Sequence, residues 1–382
     1  MYADRMGELP PYLFARIDEM KANKIRSGVD VIDLGVGDPD LPTPDHIVEE
    51  LCRAARDPAN HHYPSYAGMT EYRAAVAGWY RKRFGIELDP GTEVLALMGS
   101  KDGIAHIPEA FVNPGDYVLA PSPGYPVYRT STLFAEGKLY EMPLSAENQF
   151  IPVLEDIPHN IAAAARIMFL NYPNNPTSAV TLPGFFESAV EFARENDILI
   201  VHDNAYSEIS YDGYRAPSFL ATDGAMDVAV EMHSLSKTFN MTGWRIGMAV
   251  GNASILSGLS RLKSNIDSGV FDAVQRAAIA ALNGPDTTVK DACRIYQERR
   301  DVLVKGLREL GFAVEAPKAT FYVWMQVEDC MGFAARMLDE AGIVVTPGIG
   351  FGSGGDGYVR FALTRTKERI REAIERMGGM GL

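Results

Sequence analysis

Short apolar runs alternate with amphipathic stretches through the middle of the chain. The apolar runs predict seven β-strands, at residues 94–98, 117–120, 138–142, 166–170, 198–202, 228–232 and 246–250. Helical periodicity, with apolar residues recurring every three or four positions, lies between several of these strands, for example at residues 185–195. Near-continuous apolar strands separated by helices are typical of a mostly parallel sheet covered on both faces. The middle of the chain is therefore predicted to be an α/β domain that binds ligands at the carboxyl ends of its strands.

The two ends of the chain follow a different pattern. An N-terminal helical pattern at residues 12–24 precedes an apolar strand at 31–35, and amphipathic helices follow at 47–56 and 69–84. Beyond about residue 287, a long charged helix at 289–310 leads into strand-like segments and helices. These segments are a strand at 321–327, a helix from 331, strands at 343–346 and 358–363, and a final helix. We expect a large domain over residues 46–286, and a smaller α+β domain made of residues 1–45 plus 287–382.

Composition and charge narrow the class of protein. A hydrophobic fraction of 47% over 382 residues, with 23% charged, is that of a soluble globular protein with two domains. No apolar stretch predicts a membrane span, and the N-terminus lacks the pattern of a secretion signal. The formal net charge of −14 argues against a nucleic-acid partner, which requires clustered Lys and Arg. We expect a cytoplasmic protein that handles small molecules.

The three cysteines agree with a reducing compartment. Cys52, Cys293 and Cys330 are far apart and show no C-x-x-C spacing. This pattern predicts buried thiols and neither a disulfide framework nor a zinc site.

A lysine surrounded by small hydroxyl residues is the main candidate for chemistry. Lys237 lies between Ser234, Ser236 and Thr238, and Arg245 follows eight positions later. A partly desolvated lysine can form a reversible imine with a carbonyl at neutral pH. Hydroxyls and an arginine can bind a phosphate, so the segment predicts a covalent lysine beside an anion site. In isolation, the same segment is also typical of a surface loop.

Four further polar segments follow predicted strands. Residues 99–103 (GSKDG) could bind a phosphate at a helix N-terminus, and residues 121–128 (PSPGYPVY) could present an aromatic ring to a flat cofactor. Residues 171–177 present Asn175, whose amide can donate to a phenolate oxygen, and residues 201–206 contain Asp203 and Tyr206. A carboxylate can keep a pyridine nitrogen protonated. Taken one at a time, these segments are equally typical of helix caps, packed turns or salt-bridge partners.

The motifs occur in one order: Gly-Ser-Lys, Pro-Gly-Tyr, Asn-Pro-Thr, Asp-x-x-Tyr, Ser-x-Ser-Lys and Gly-Trp-Arg-Ile-Gly. In that order the whole chain resembles the class I/II aminotransferase family of fold type I enzymes, which depend on pyridoxal 5′-phosphate. The resemblance implies a ping-pong transaminase with Lys237 as Schiff-base lysine and as the base that moves a proton between the substrate α-carbon and cofactor C4′. It also implies the residues that bind the cofactor: Asp203 at the pyridine nitrogen, Asn175 and Tyr206 at the ring hydroxyl, Tyr125 on the ring face, and Ser100, Lys101, Ser234, Ser236 and Arg245 at the phosphate.

The resemblance extends to substrate and partner. Arg360 matches the arginine that binds the substrate α-carboxylate, and Gly37 matches the glycine whose backbone approaches the same group, with Asn175 nearby. Tyr63 matches a tyrosine that reaches the phosphate in a neighbouring subunit, which implies a homodimer with shared active sites.

Within the family, the motifs most resemble those of the LL-diaminopimelate aminotransferase group, which act in lysine biosynthesis with 2-oxoglutarate. Tyr12 matches a tyrosine near the substrate side chain in that group. The segment from Tyr63 to Tyr72 is shorter than in the plant-like enzymes and has no glutamate matching the one they use to recognise the distal amino group. Aspartate, alanine or another 2-amino acid therefore stays open as substrate.

Two other classes of protein share part of these features. A pyridoxal-phosphate lyase would have the same cofactor residues, because the bond that breaks depends on substrate orientation. A transcription regulator with an aminotransferase-like module would need a basic DNA-binding segment, which this acidic chain lacks.

Overall fold

A computed structural model describes residues 2–9 and 13–381, with the backbone alone at residues 13–16. The described residues contain twelve strands: Ile32–Asp33 (β1), Val94–Leu97 (β2), Tyr117–Ser122 (β3), Lys138–Pro143 (β4), Ala165–Leu170 (β5), Leu199–Asp203 (β6), Ala229–Ser234 (β7), Gly247–Gly251 (β8), Tyr322–Gln326 (β9), Ile343–Val344 (β10), Thr346–Pro347 (β11) and Tyr358–Ala362 (β12). The helices are Leu13–Arg26 (α1), Asp45–Ala55 (α2), Thr70–Phe84 (α3), Ser100–Phe111 (α4), Val127–Phe134 (α5), His159–Ala162 (α6), Phe185–Asn196 (α7), Ala225–Val228 (α8), Leu235–Thr238 (α9), Ala253–Lys263 (α10), Asp272–Asn283 (α11), Thr287–Glu309 (α12), Cys330–Ala341 (α13) and Lys367–Gly378 (α14).

The seven strands predicted for the middle of the chain form one sheet in the order β2-β8-β7-β6-β5-β3-β4. Strands β3 to β7 run parallel, and β8 is antiparallel to both of its neighbours. Each predicted strand begins and ends within two residues of the observed one. The prediction of a mostly parallel sheet is confirmed.

Side chains from both faces of this sheet are buried in separate apolar clusters. Along β5, Met168 and Leu170 contact a cluster that includes residues of α3, α7 and α11, whereas Ile167 and Phe169 contact residues of α4, α5 and α10. This alternation follows from the period of two in a strand. It explains why the strands are apolar at almost every position.

A third apolar cluster is formed by elements from both chain ends. β9 pairs with β12 and β12 with β11, all antiparallel, while the N-terminal strand β1 pairs in parallel with β10. Helices α12, α13 and α14 contribute to this cluster together with residues 205–211 of the central segment. The expected completion of the C-terminal part by the N-terminal strand is thus observed, and the division at residues 45 and 286 stays a proposal.

Two smaller observations concern the cysteines and the membrane. Cys330 is buried and Cys293 half-buried, but Cys52 is exposed on α2, so the prediction of three buried thiols is wrong for Cys52. Cys52 lies on the solvent side of an amphipathic helix whose buried residues are Ile47 and Ala54. Among the described helices, none is long and apolar enough to cross a membrane.

Candidate active site

The carboxyl ends of β5, β6 and β7 lie side by side and bring three of the predicted segments together. Asn171, the first residue after β5, links two of them, because its side-chain amide donates to the Asp203 carbonyl at 2.6 Å and its oxygen accepts from the Asn175 amide at 2.7 Å. Asn171 was not predicted as a site residue. It occurs in the quoted motif, but only the sheet register shows that it connects neighbouring loops.

Lys237 lies in α9, directly after β7. The side chain of Ser234 caps this short helix by accepting a hydrogen bond from the Ser236 amide. Nζ of Lys237 donates to the carbonyl oxygen of Gly37 at 3.1 Å. Burial lowers the pKa of Lys237 to about 8, although the negative charge of Asp38 opposes the shift. An appreciable fraction of this amine is therefore uncharged near neutral pH, as a nucleophile or base requires.

Asp203 is the last residue of β6 and is only 5% exposed. Its Oδ2 accepts a hydrogen bond from the hydroxyl of Tyr128 at 2.9 Å, whereas Oδ1 has no hydrogen-bond partner within the described part of the chain. Burial raises the pKa of Asp203 to about 6, and the hydrogen bond from Tyr128 limits the rise. A buried acceptor without a hydrogen-bond partner destabilises the folded protein, so Oδ1 is available to accept a hydrogen bond from a ligand.

Tyr206 and Tyr322 form a pair of buried phenols beside this carboxylate. Their hydroxyl oxygens are 3.0 Å apart, and burial raises the pKa of Tyr206 well above its ordinary value. The hydroxyl of Tyr322 packs against Gly37, where an added Cβ would lie 2.0 Å from it. Tyr322 was missed by sequence reasoning, because it belongs to a strand with no motif of its own. Glycine at position 37 leaves space for this phenol.

Arg360, on β12, is buried and points toward the same loops. One of its terminal nitrogens donates to Asn175 Oδ1 at 2.7 Å and the other to the carbonyl oxygen of Gly35 at 2.8 Å. The guanidinium carbon lies 4.1 Å from the ring centre of Tyr322 and 4.7 Å from that of Phe351. Two aromatic faces and two acceptors hold the planar group in one orientation, and such a group suits a carboxylate.

Residues predicted to bind a phosphate form a cradle at the N-terminus of α4. Arg245 donates to the carbonyl of Met98 at 2.9 Å and to that of Thr242 at 2.8 Å, and lies 3.5 Å from the hydroxyl of Ser236. Gly99 precedes the helix with φ of +83°, and an added Cβ there would lie 2.4 Å from a terminal nitrogen of Arg245. Ser100 and the exposed Lys101 open α4, whose first amide groups favour an anion.

Three further residues were predicted for the site. Tyr125 is half-buried, with its ring edge-on to Tyr128 at 5.8 Å between centres. Tyr63 is 89% exposed on the loop before α3. Tyr12 lies outside the described residues.

The described residues fit pyridoxal phosphate. A flat ring with a protonated nitrogen would satisfy Oδ1 of Asp203, which otherwise lacks a partner. The glycine-lined cradle beside Arg245 suits its phosphate, and the amine of Lys237 suits its aldehyde. An α/β sheet carrying a lysine, a carboxylate and an anion cradle at its carboxyl edge defines a fold type I pyridoxal-phosphate enzyme.

Comparison with known proteins identifies the family. The model of the aminotransferase class I and II family matches residues 29–377. An LL-diaminopimelate aminotransferase of Syntrophobacter fumaroxidans is 57% identical over 378 residues, which are 98% of this chain and 97% of that protein. The solved structure of substrate-bound BacF from Bacillus subtilis has a TM-score of 0.97 at 38% identity and covers 100% of this chain and 98% of its own. A single mutant of Thermus thermophilus aspartate aminotransferase has a TM-score of 0.93 at 30% identity, with 100% of both chains covered.

The chain belongs to the aminotransferase class I and II family. It is a transaminase with pyridoxal 5′-phosphate as cofactor, and the predictions of family, fold and cofactor are confirmed.

Proposed function

We propose that the enzyme moves the amino group between LL-diaminopimelate and 2-oxoglutarate, a reaction of lysine biosynthesis. The observation that carries this choice of substrate is the identity of 57% over nearly the whole chain to a protein named LL-diaminopimelate aminotransferase. Several further relatives with the same name are 51% to 56% identical. Aspartate is the alternative, supported by the fold shared with the Thermus enzyme at 30% identity.

We assign the proton transfer to Lys237. Bound pyridoxal phosphate supplies an electron-accepting ring that takes up the charge released when the α-proton leaves. Nζ of Lys237 binds the cofactor between turnovers and, once free, takes the proton from the substrate α-carbon. A lysine pKa of about 8 supports this role, because the free amine is the form that accepts the proton.

We propose the remaining cofactor contacts from the family resemblance, and the geometry around the carboxyl ends of the strands supports them. We assign Oδ1 of Asp203 to the ring nitrogen, Asn175 and Tyr206 to the ring hydroxyl, and Tyr125 to the ring face. The phosphate is assigned to Arg245 and to the serines and lysine of the cradle, namely Ser100, Lys101, Ser234 and Ser236. Two observations support these assignments. Oδ1 of Asp203 has no hydrogen-bond partner among the described residues, and the backbone at Gly99 lies close to the guanidinium of Arg245.

We assign the substrate α-carboxylate to Arg360, with the backbone at Gly37 and the Asn175 side chain beside it, and we assign Tyr12 to the substrate side chain. The hydrogen bond from Arg360 to Asn175 supports this assignment, because Asn175 is also assigned to the ring hydroxyl. A carboxylate would engage this guanidinium in place of part of its present hydrogen bonding.

We also propose a homodimer in which Tyr63 reaches the phosphate of the neighbouring subunit. Tyr63, Tyr66 and Phe271 are exposed, the rings of His61 and Phe271 lie 6.5 Å apart, and an added Cβ at Gly269 would lie 2.9 Å from the carbonyl oxygen of Ser65, so the loop with Tyr63 and Tyr66 lies beside the one with Phe271. Large exposed apolar side chains in one region favour an interface.

The absence of disulfides among the three cysteines supports a cytoplasmic location.

The substrate is tested with a panel of amino donors and 2-oxo acceptors. We expect ¹⁵N from labelled LL-diaminopimelate to appear in glutamate, with kcat/KM at least about tenfold above that for aspartate or alanine. A higher kcat/KM for aspartate would replace the proposed substrate. Release of an elimination product without labelled glutamate would indicate a lyase.

Arg360→Ala tests the carboxylate site. We expect KM for the amino donor to rise about 100-fold while the cofactor dissociation constant changes little, because the residue is assigned to substrate alone. Arg365→Ala, on the neighbouring loop after β12, is the matched control. Loss of cofactor from Arg360→Ala would contradict the assignment.

The shared site is tested with hybrid dimers. Subunits carrying Lys237→Ala and subunits carrying Tyr63→Phe are mixed, so that one site of each hybrid has both defects and the other has neither. We expect activity in the mixture well above that of either variant. Activity equal to the average of the two variants would show that Tyr63 acts within its own subunit or not at all.

A further inference from the structure

Tyr128 is the only side chain seen to donate a hydrogen bond to the Asp203 carboxylate among the residues that the structure describes. It lies on α5, 75 positions before Asp203 in the sequence, and it is 1% exposed. The bond of 2.9 Å occupies Oδ2, which leaves Oδ1 as the oxygen without a partner. The two oxygens of one carboxylate therefore have different surroundings.

The ring of Tyr128 is fixed on both sides. It stacks on Phe169 of β5 with the centres 4.7 Å apart and the planes 15° apart, and it meets Tyr125 edge-on at 5.8 Å. Its hydroxyl has little freedom to leave Asp203, because close-packed aromatic rings restrict side-chain rotation. The same ring thus contacts both Asp203 and the residue assigned to the cofactor face.

We propose that Tyr128 is a positioning residue that orients Asp203, so that Oδ1 faces the cofactor ring nitrogen, and that keeps this carboxylate ionised. The proposal rests on the assignment of Asp203 under the proposed function. The role proposed for Tyr128 is exerted through Asp203 and not through contact with the substrate.

The charge around Asp203 agrees with this role. The titratable groups that act on it include Tyr128 from α5, His202 beside it on β6, Lys237 from α9 and Tyr206 from the following loop, and a hydrogen bond from the Ala205 backbone also lowers its pKa. Burial raises its pKa, and the hydrogen bond from Tyr128 is the largest of the opposing influences. Without that bond, more of the carboxyl would be protonated near neutral pH, and a protonated carboxyl pairs poorly with a protonated ring nitrogen.

The test is Tyr128→Phe in the full-length protein, because phenylalanine keeps both ring contacts and removes only the donor. We expect the Asp203 carboxyl, followed by ¹³C NMR before cofactor is added, to titrate about one pH unit higher. We expect the dissociation constant of pyridoxal phosphate at pH 7.5 to rise about tenfold. An unchanged titration and an unchanged dissociation constant would overturn the proposal.

Tyr172→Phe is the matched control. Tyr172 is also a buried tyrosine near the carboxyl edge of the sheet, but its hydroxyl donates to the carbonyl oxygen of Phe150 at 2.8 Å. This variant should leave the Asp203 titration unchanged. A shift equal to that of Tyr128→Phe would show a general effect of loosened packing and would overturn the proposal.

A double-mutant cycle separates this proposal from the assignment of Asp203. If Tyr128 acts through Asp203, Tyr128→Phe should weaken cofactor binding in the wild-type background and cause no further loss in Asp203→Asn. An equal loss in both backgrounds would overturn the role of Tyr128 alone. Cofactor affinity unaffected by Asp203→Asn would instead contradict the assignment of Asp203.

If Tyr128→Phe folds poorly, a second variant still tests the proposal. Fluorotyrosine at position 128 is a stronger donor of nearly the same shape, and it should move the Asp203 titration to lower pH. A shift to higher pH would contradict the proposal.

Discussion

Two buried acids on neighbouring strands differ in almost every respect except burial. Glu231, on β7, is completely buried. In the sheet register it pairs with His202, the residue before Asp203, and Asp203 pairs with Met232. Five donors reach its oxygens, each at 2.9 Å: Tyr80 Oη, His202 Nδ1, Asn204 Nδ2, Ser218 Oγ and the amide of Phe219. Among the described residues, Asp203 has one hydrogen-bonding side chain, Tyr128, and its Oδ1 has no partner.

The pKa values of the two acids move in opposite directions for this reason. Burial raises both, but at Glu231 the hydrogen bonds, led by that from His202, outweigh burial and lower the pKa below its ordinary value. At Asp203 burial dominates and the pKa rises to about 6. A buried acid whose oxygens all accept hydrogen bonds stabilises the fold. A buried acid with too few hydrogen-bond donors lowers stability, but it can accept a hydrogen bond from a ligand.

The largest expected effect concerns the active site, which contains the incompletely paired Asp203, and not the cluster around Glu231. Lys237→Ala should lower turnover at least about 10⁴-fold, because the amine is assigned both the cofactor bond and the α-proton. Steady-state kinetics measure this loss. The melting temperature of the cofactor-free variant should stay close to that of the wild type, and a large fall would show a structural role for Lys237.

Glu231→Gln tests the fully paired acid. The substitution keeps the shape but places an amide among five donors, so we expect a loss of about 3–5 kcal/mol in unfolding free energy at pH 7. Because the folded pKa of Glu231 is lowered, its contribution is present above the unfolded pKa, near 4.5, and is lost as the pH falls through the folded value. Urea denaturation from pH 7 downward should therefore show the difference between variant and wild type shrinking in acid.

Asp203→Asn makes the same chemical change at the other acid and should have the opposite sign. A folded pKa raised from 3.8 to about 6 means that stability is full below pH 3.8 and falls as the pH rises through 6. Removing the charge should stabilise the cofactor-free protein by about 3 kcal/mol at pH 8 and by almost nothing near pH 4. Destabilisation at pH 8 would remove the distinction between the two acids.

The smallest expected effect concerns one donor of the five. Tyr80→Phe removes the phenol that donates to Glu231 Oε1 at 2.9 Å and leaves the ring in place. We expect a loss of about 1 kcal/mol, since four donors remain. Urea denaturation at pH 7 measures it, and a loss as large as that of Glu231→Gln would mean that the cluster fails as a unit when any one member is removed.

Most of the architecture could be predicted from the sequence, because strand and helix patterns depend on local periodicity. All seven strands of the large sheet were predicted, and the ends of β5, β6 and β7 were expected to carry site residues. Asn171 and Tyr322 were not. Neither belongs to a residue type that the sequence singles out, and only contacts across the sheet or between separate apolar clusters show what each residue does.

The sequence alone determined the class of fold, the positions of the strands along the chain and the family, because the motifs at residues 99, 175, 203, 237 and 245 occur together and each lies at or near the end of a strand. Only the tertiary structure decided which oxygen of Asp203 is left for a ligand and which acid is fully paired. The partners that decide this are distant in the chain, with Tyr128 at 75 positions from Asp203 and Tyr80 at 151 from Glu231. Burial and hydrogen bonding set the pKa of a carboxyl, and both arise from packing between distant segments.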